Sequence, residues 1–589
     1  SLYKNFGQEI MLPLADYGGG SGCGGMFVSE PRLPEPYRNA LLTCDWGRSV
    51  VYYHPLTPDG PTFQAKQEVF LNIPRPTDVD ADASGRLYVS SWHGGKFAYS
   101  GVNVGYVAAL IPQDATDDPV PALEKLNDSE LVGQLQSESA VLRLHAQREI
   151  LQRAGKPALA SGLLKLIQDD KASLNSRIAA VFGYKQLEGD RANKELLKLA
   201  GDGAIQEWVL RALTDRRTQL AGVSPDAFVK ALSSKNPRVR LAAVIGLGRL
   251  KDPGTGSAML SLTRTAEPKK PAPDPAAAAE FRTKKISGKK QVEIDFSLGG
   301  AKKLFLVVTN AGDGDGLDHA GWIEPRLVGK NGETKLTEIP WESAESGWGK
   351  ANVNLDCEGK PLKFNGKTAA YGIGTHAHSV IVYRLPPGQD KFRSRVGLDD
   401  GSKQGGSVQF MVFADRLPKN ISSPKPALDS DPERVIPHVA IRTLARINAV
   451  DACLSALDGP DRQGALSALQ LMHDPAAVNG LLTRLTPTAD EGLRQGVLNA
   501  LVRLYFREGP FQGDWWGTRP DTTGPYYHRD KWEKTSDIEA ALVQQFTRLG
   551  SDLRDALLTE LDRHKVRLPN LPTTPAGPSK PTAKDVAVI

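Results

Sequence analysis

"GWGKANVNLDCEGKPLKFNGKTAAYGIGTHAHSVIVYRLPPGQDKFRSRVGLDDGSKQGGSVQFMVFAD", residues 347–415, is the stretch that decides the fold of the central part of the chain. Runs rich in β-branched and aromatic residues, Val380 to Leu385, Lys391 to Gly397 and Ser407 to Phe413, alternate with Gly- and Pro-containing turn signals. Upstream, Val292 to Leu298 and Lys303 to Thr309 have the same texture. Such runs, broken by turns, predict an antiparallel β-sandwich over residues 285–416.

The same stretch is dense in rings and ionisable groups. Recognition of a sugar needs an apolar platform for the C–H face of the ring and planar polar groups around the hydroxyls. Trp348, Trp322 and Tyr371 are candidates for the platform, and His376, His378, Asp399 and Asp400 for the polar groups. Each has a plainer reading. Either Trp alone is more often core than platform. Asp399-Asp400-Gly401 also reads as a turn.

Several spaced landmarks fall in order: Gly347-Trp348-Gly349, Tyr371-Gly372-Ile373-Gly374-Thr375-His376-Ala377, Val396-Gly397-Leu398-Asp399-Asp400, and "GSVQFMVFAD". With the upstream "GDGDGLDHAGWIEPRL", which supplies Asp318, His319 and Trp322, they closely resemble the NPCBM type of carbohydrate-binding module. The resemblance implies a galactose-binding-like jelly roll with a sugar ligand, and adds His319 to the candidate binding residues. Where that pattern tends to read DHADW, this chain reads DHAGW, with Gly321 in place of a carboxylate. "GDGDGLD" also invites a calcium reading through Asp313, Asp315 and Asp318. It departs from an EF-hand, since Leu317 stands where an oxygen ligand belongs and Asp318 where Gly is required. A solvated Asp-Gly turn is the competing and favoured reading.

Outward from the sandwich the period becomes helical. Residues 266–284 form a Pro/Ala-rich linker and 417–432 a Pro/Ser-rich one, both compositions of extended or flexible spacers. Residues 125–265 carry similar helices around Arg143, Arg177, Trp208 and Arg240, roughly 31 to 34 residues apart, a spacing that resembles a HEAT-type α-solenoid. In "NPRVRLAAVIGLGRLKDP", Asn236 can cap, Pro237 suits the first helical position and Asp252-Pro253 stops the run. The same grammar resumes over 433–566, where "LRQGVLNALVRL" puts Leu493, Val497, Leu498, Leu501 and Leu504 on one face. An insert at 510–533 concentrates Trp515, Trp516, Tyr526, Tyr527, His528 and Trp532. It reads either as a plug on the helical end or as a docking face for an electron-transfer domain. The tail 567–589 has the composition of a disordered segment.

Residues 1–112 read as β-structure. "LLTCDWGRSVVYYHPL" with Trp46 and "RLYVSSWHGGKFAYSGVNVGYVAAL" with Trp92 lie about 45 residues apart, the length of one propeller blade. Two blades cannot close a propeller, so further blades are expected upstream of Ser1. "DWGRS", "PRPTDVDADASGRLYVSSWHGG" and "YSGVNVGYV" resemble the last blades of sorbosone- and glucose-dehydrogenase-like propellers. The arrangement of the chain is similar to exported proteins of planctomycete-type bacteria named membrane-bound dehydrogenases. That resemblance implies periplasmic or extracellular export, and a quinone cofactor and haem c in a full-length relative. It leaves this chain with no certain cofactor and without expected turnover of its own. The expected fold class is therefore a partial β-propeller, a HEAT-like α-solenoid and a jelly-roll sandwich. The expected function is that of a carbohydrate-binding and scaffold region of a dehydrogenase-like protein. The alternatives are an accessory region of a glycoside hydrolase or a non-catalytic interaction scaffold.

Composition bounds these readings. Lys+Arg at 73 against Asp+Glu at 68 leaves a net charge of +5 with no basic run, so nucleic acid is not an expected partner. No apolar stretch is long enough to span a membrane. Cys23, Cys44, Cys357 and Cys453 form neither a CxxC nor a CxxCH motif. Cys23 and Cys44 fit a disulfide or two buried thiols equally well. Gly20, Gly22 and Gly25 satisfy GxGxxG but are followed by strand-like "MFVSE", so a propeller loop is the better reading. His93, beside Trp92, is a weak candidate for a channel lining. No HExxH, Walker A or GxSxG motif occurs, and the sequence shows no pair of carboxylates that converges, so a glycosidase dyad is not supported.

Overall fold

The computed structural model describes residues 11, 14, 21–94, 102, 104–113, 120–153, 155–265, 281–311, 316–330, 332–403, 405–418, 432–510, 529–569 and 571. Asp313, Asp315, most of both linkers, all of the aromatic insert except Pro510 and residues 529–533, and nearly all of the tail lie outside them.

Helix Pro237–Leu250 illustrates why the helical segments form. Asn236 accepts the Arg238 N–H, Pro237 occupies the first position, and Lys251 ends the helix in left-handed backbone. Val239, Ala242, Ala243, Val244 and Leu247 face inward. An arginine at the fourth position recurs in helices Ala140–Gln152, Leu174–Glu188, Pro237–Leu250, Glu491–Leu504 and Ser551–Arg563. In each it reaches back to carbonyls ahead of its own helix. Arg143 donates to Ser137 and Glu138, Arg177 to Ile167, Arg240 to Ser234, Arg494 to Ala489 and Arg554 to Phe546. These charge-assisted bonds fix the turn that precedes the helix.

That clasp corrects the expectation of a HEAT-like solenoid. Much of the recurring sequence signal is a local arginine device, not a uniform two-helix unit. The helices vary from 4 to 15 residues and are interrupted by short 3₁₀ turns. They bury one continuous hydrophobic core that runs from Leu131 to Leu568. The sandwich interrupts this core in sequence but not in space. Helix Val435–Arg446 packs on helix Pro237–Leu250, and the Thr443 hydroxyl bonds the Val244 carbonyl at 3.4 Å. Arg264 pairs with Asp461 at 2.6 Å across the same junction.

The N-terminal part also differs from expectation. β1 (Gly22–Ser29), β2 (Asn39–Asp45), β3 (Val50–His54) and β6 (Glu68–Asn72) make one antiparallel sheet. β4 (Leu56–Asp59) and β5 (Thr62–Ala65) form a hairpin, and β7 (Pro76–Ala81), β8 (Leu87–Ser91) and β9 (Tyr106–Leu110) a second sheet. Among the described residues no sheet closes into a propeller or barrel. Nor is any helix long and apolar enough to cross a membrane. The resemblance to membrane-bound propeller dehydrogenases is thereby overturned. The repeated Trp has a nearer cause: Trp46 and Trp92 pack on each other with ring centroids 5.9 Å apart. All four cysteines are free thiols, so Cys23 and Cys44 do not pair. Glu30 is buried in this part and its carboxylate accepts the Val141 N–H at 3.0 Å, tying it to the start of helix Ala140–Gln152.

The chain is thus a mixed α and β molecule with several sheets. Its largest β-unit has two six-stranded antiparallel sheets. The first contains β10 (Phe281–Arg282), β11 (Ile286–Ser287), β13 (Lys303–Thr309), β16 (Ser343–Ser346), β21 (Ser379–Arg384) and β23 (Ser407–Ala414). The second contains β12 (Gln291–Ser297), β14 (His319–Gly329), β15 (Gly332–Lys335), β17 (Asn352–Val353), β20 (Gly372–His376) and β22 (Gln389–Leu398). A small hairpin, β18 (Lys363–Phe364) and β19 (Lys367–Thr368), lies outside both. Leu304, Leu306, Trp322, Ile373, Ile381, Tyr383, Phe392 and Phe410 fill the space between the sheets.

The helical junction is tight enough to test. A Cβ built on Gly256 would stand 2.6 Å from the Ala449 Cβ and 3.1 Å from that of Ala452. Gly256→Ala is expected to lower stability by about 1–3 kcal/mol, read by denaturant unfolding of the helical signal.

Candidate functional site

One end of the sandwich gathers most of the ionisable residues. His319 opens β14 and His376 closes β20, directly opposite in register, with ring centroids 5.2 Å apart. Asp399 follows β22, and its N–H donates to the His319 carbonyl at 3.0 Å. The Asp399 carboxylate accepts the Gly401 N–H at 2.6 Å and lies 4.0 Å from His319 Nδ1. Cys357 Sγ approaches the same nitrogen to 3.2 Å. All four side chains are buried.

Burial sets their protonation. Loss of solvent, reinforced by the negative charges of Asp356, Asp400 and Glu358, pushes the Asp399 carboxyl up to about 7 despite the Gly401 bond. It also raises the Cys357 thiol to about 12, so this is no ready nucleophile. Desolvation lowers His319 in spite of nearby Glu358 and Asp356. A neutral imidazole beside a carboxyl only partly ionised near neutral pH, 4.0 Å apart, is not a full ion pair.

Above this polar knot stands Trp348, 47% exposed. Its two glycines explain the posture. A Cβ on Gly347 would run into the Ala377 carbonyl, and Gly349, at φ 61°, presses against the Cys357 carbonyl. Ser346 hooks the loop to β20: its hydroxyl accepts the His376 N–H and donates to the Trp348 carbonyl at 2.7 Å. His378 is half-buried and follows a cis peptide bond from Ala377.

The remaining candidates are placed elsewhere. Trp322 is fully buried, edge-on to Phe410 at 5.0 Å. Tyr371 sits at the opposite end of β20, about 17 Å from His376 at the usual strand rise, with Lys335 Nζ 5.2 Å from its ring. Asp400 is exposed, and its carboxylate accepts the N–H groups of Asn365 and Gly366 at 2.9 and 2.8 Å. Asp318 is fully buried and accepts the Ser407 N–H at 2.8 Å, which ties two loops together. Its partners in the calcium reading, Asp313 and Asp315, lie outside the described residues. Among those described, no three His, Cys, Asp or Glu side chains are arranged to hold a metal. His93 is exposed, 6.3 Å from the Tyr106 ring.

Gly321 has a packing reason. Any side chain there would strike the Phe364 ring, which covers β14 together with Leu362. Sequence reasoning missed this hairpin, Lys289 and Lys403 near it, and Ser346 beside β20. The Asn365-Gly366 dipeptide was the available signal, since Asn-Gly favours a tight hairpin turn.

The chain therefore contains a two-sheet β-sandwich with a partly exposed Trp348 loop at the end that holds the buried polar knot. Residues 278–328 and 332–444 match the family described as NPCBM/NEW2 domain, so an NPCBM domain, a known type of carbohydrate-binding module, is present in this chain. The match runs past the last strand into helix Val435–Arg446. No curated protein matches the chain significantly.

Two stability measurements separate the roles of these residues. Trp322→Ala should cost about 3–5 kcal/mol, whereas Trp348→Ala should stay within about 0.5 kcal/mol of the parent. Asp399 ionises near 4 in the unfolded chain but near 7 when folded. Its contribution to stability is therefore fully present at low pH and is lost as pH rises from about 4 to about 7. The stability of Asp399→Asn relative to the parent is expected to rise across that window, by roughly 2–4 kcal/mol, and to level off above it.

Proposed function

We propose that the sandwich over residues 285–416 binds polysaccharide at the end that carries Trp348. The exposure of the Trp348 indole is the observation that carries this reading. Two glycines with no room for a side chain seat the loop closely and leave the indole about half exposed. A free indole face matches the C–H face of a pyranose. His378, half-buried and with its backbone N against Gly347, is the nearest polar side chain of the proposed rim. His319, His376 and Asp399 act from beneath, holding the loops that shape the rim, and Asp400 pins the neighbouring hairpin. The presence of an NPCBM domain supports a saccharide as the ligand. Export to the periplasm or beyond the cell belongs to this proposal, because structural polysaccharide is met there.

Titration of the full chain against a panel of oligosaccharides tests it. At least one glycan should bind, and Trp348→Ala should weaken that binding by about tenfold or more, roughly 1.4 kcal/mol. Undiminished affinity in a folded Trp348→Ala variant would refute the site.

A further inference from the structure

A cavity opens at the same end of the sandwich; Asp399 and Asp400 line it, and Trp348 does not. Three turns converge on it: Gly288-Lys289 before β12, Asn365-Gly366 at the tip of the β18–β19 hairpin, and Asp399 to Lys403 after β22. The turns are tied to one another. Asp400 holds the Asn365 and Gly366 N–H groups, and Asn365 Nδ2 lies 3.5 Å from the Lys289 carbonyl. The cavity is therefore preformed. Its volume is about 280 Å³, close to the lower limit for small-ligand pockets, which suits a single sugar ring better than a chain.

Asp399 gives this cavity its chemistry. The residue is 2% exposed and lines the wall. One carboxyl oxygen takes the Gly401 N–H, while Oδ2 is buried without a hydrogen-bond partner among the described residues. A buried polar atom left unpaired is costly, so a ligand hydroxyl that meets Oδ2 recovers that cost on binding. Lys289 and Lys403 are exposed and line the same cavity. Against them stands Asp400, whose oxygens are already engaged by backbone N–H groups. Lys289 and Lys403 thus supply the positive charge at the mouth, with Asp356 and Glu358 as further negative charges nearer Asp399.

We infer that this cavity is a subsite for one acidic sugar residue, a uronate, with a hydroxyl on Asp399 Oδ2 and its carboxylate between Lys289 and Lys403. The inference rests on the carbohydrate reading above and adds the class of sugar. A neutral hexose could satisfy Asp399 but would leave the two ammonium groups without a partner. A bare inorganic anion could satisfy the lysines but not Asp399.

Calorimetric titration of the full chain with glucuronate and galacturonate, against glucose, galactose and inorganic phosphate, tests it. Wild type should bind one of the uronates at least tenfold more tightly than its neutral parent sugar and than phosphate. The Lys289→Gln, Lys403→Gln double variant, altered only at exposed positions, should lose that preference while keeping its affinity for neutral sugar. Asp399→Asn, checked for folding by circular dichroism, should weaken the uronate at least fivefold. Trp348→Ala should leave the uronate preference intact. Equal affinity for uronate and neutral sugar, an unchanged preference in the lysine variant, or phosphate binding as tight as uronate would each overturn the subsite while the Trp348 reading stands. Failure of wild type to bind any of these sugars or any oligosaccharide would bring down both.

Discussion

Two helices that lie 199 residues apart at their point of hydrogen bonding must touch for this molecule to be one body. Helix Val435–Arg446 can lie against helix Pro237–Leu250 because Gly248 presents no side chain to Thr443, whose atoms would sit 3.2 Å from a Cβ there. The contact repeats nearby. Gly464 faces Thr263 and Gly256 faces Ala449, again with no room for a Cβ. Close backbone approach buries apolar surface that neither helical stretch could cover alone. It also allows a complete β-unit to leave and re-enter the helical chain without breaking its core.

Small residues do the equivalent work inside the sandwich. Gly321 and Gly372 admit the Leu362–Phe364 hairpin onto the second sheet. Gly347 and Gly349 let the Trp348 loop settle on the Ala377 and Cys357 carbonyls. The indole is thus positioned by what its neighbours lack, and the polar knot below it by what burial does to charge. Exclusion of solvent shifts both Asp399 and His319 toward their neutral forms. A charged pair at that depth would need compensation that the surrounding carboxylates cannot give.

Much of the secondary structure was legible, because alternation and capping are local. The predicted run Lys303 to Thr309 is β13 as it stands, and the cap, first-position Pro and stop around Pro237–Leu250 fall where the sequence puts them. Longer-range inference failed where a local device imitated a repeat. Trp46 and Trp92 lie against one another in a part whose sheets do not close, and Arg143, Arg177 and Arg240 recur because each grips the carbonyls ahead of its helix. At the candidate site, sequence named the rings and carboxylates without being able to sort them. Trp322 and Trp348 are the same residue type 26 positions apart, yet one is sealed in the core and the other stands half in solvent. Only the packing of Phe410 and Phe392 on one and the glycine frame of the other makes that distinction. Asn365-Gly366 signalled a turn, but nothing in the sequence joined it to Lys289 and Lys403, because a cavity built from three turns has no linear signature.

The way the sandwich is tethered bears on how such a site could be used. The chain enters through β10, where Phe281 pairs with Val412, and leaves just after Ala414 at the end of β23. Asp415 then closes this end by accepting the Lys302 and Lys303 N–H groups. The start of β23 is at the other end, where Ser407 is held by Asp318. Seven residue steps of extended strand separate Ser407 from Ala414, roughly 24 Å. Both connections to the helices therefore emerge from one end of the sandwich. His319, His376, Asp399 and Lys289 sit at the other, since β14 begins there, β20 and β22 finish there and β12 sets out from there. Antiparallel pairing fixes this polarity, because a one-residue slip would turn the core side chains outward. The end that carries Trp348 and Asp399 is consequently opposite the one where the chain enters and leaves the sandwich.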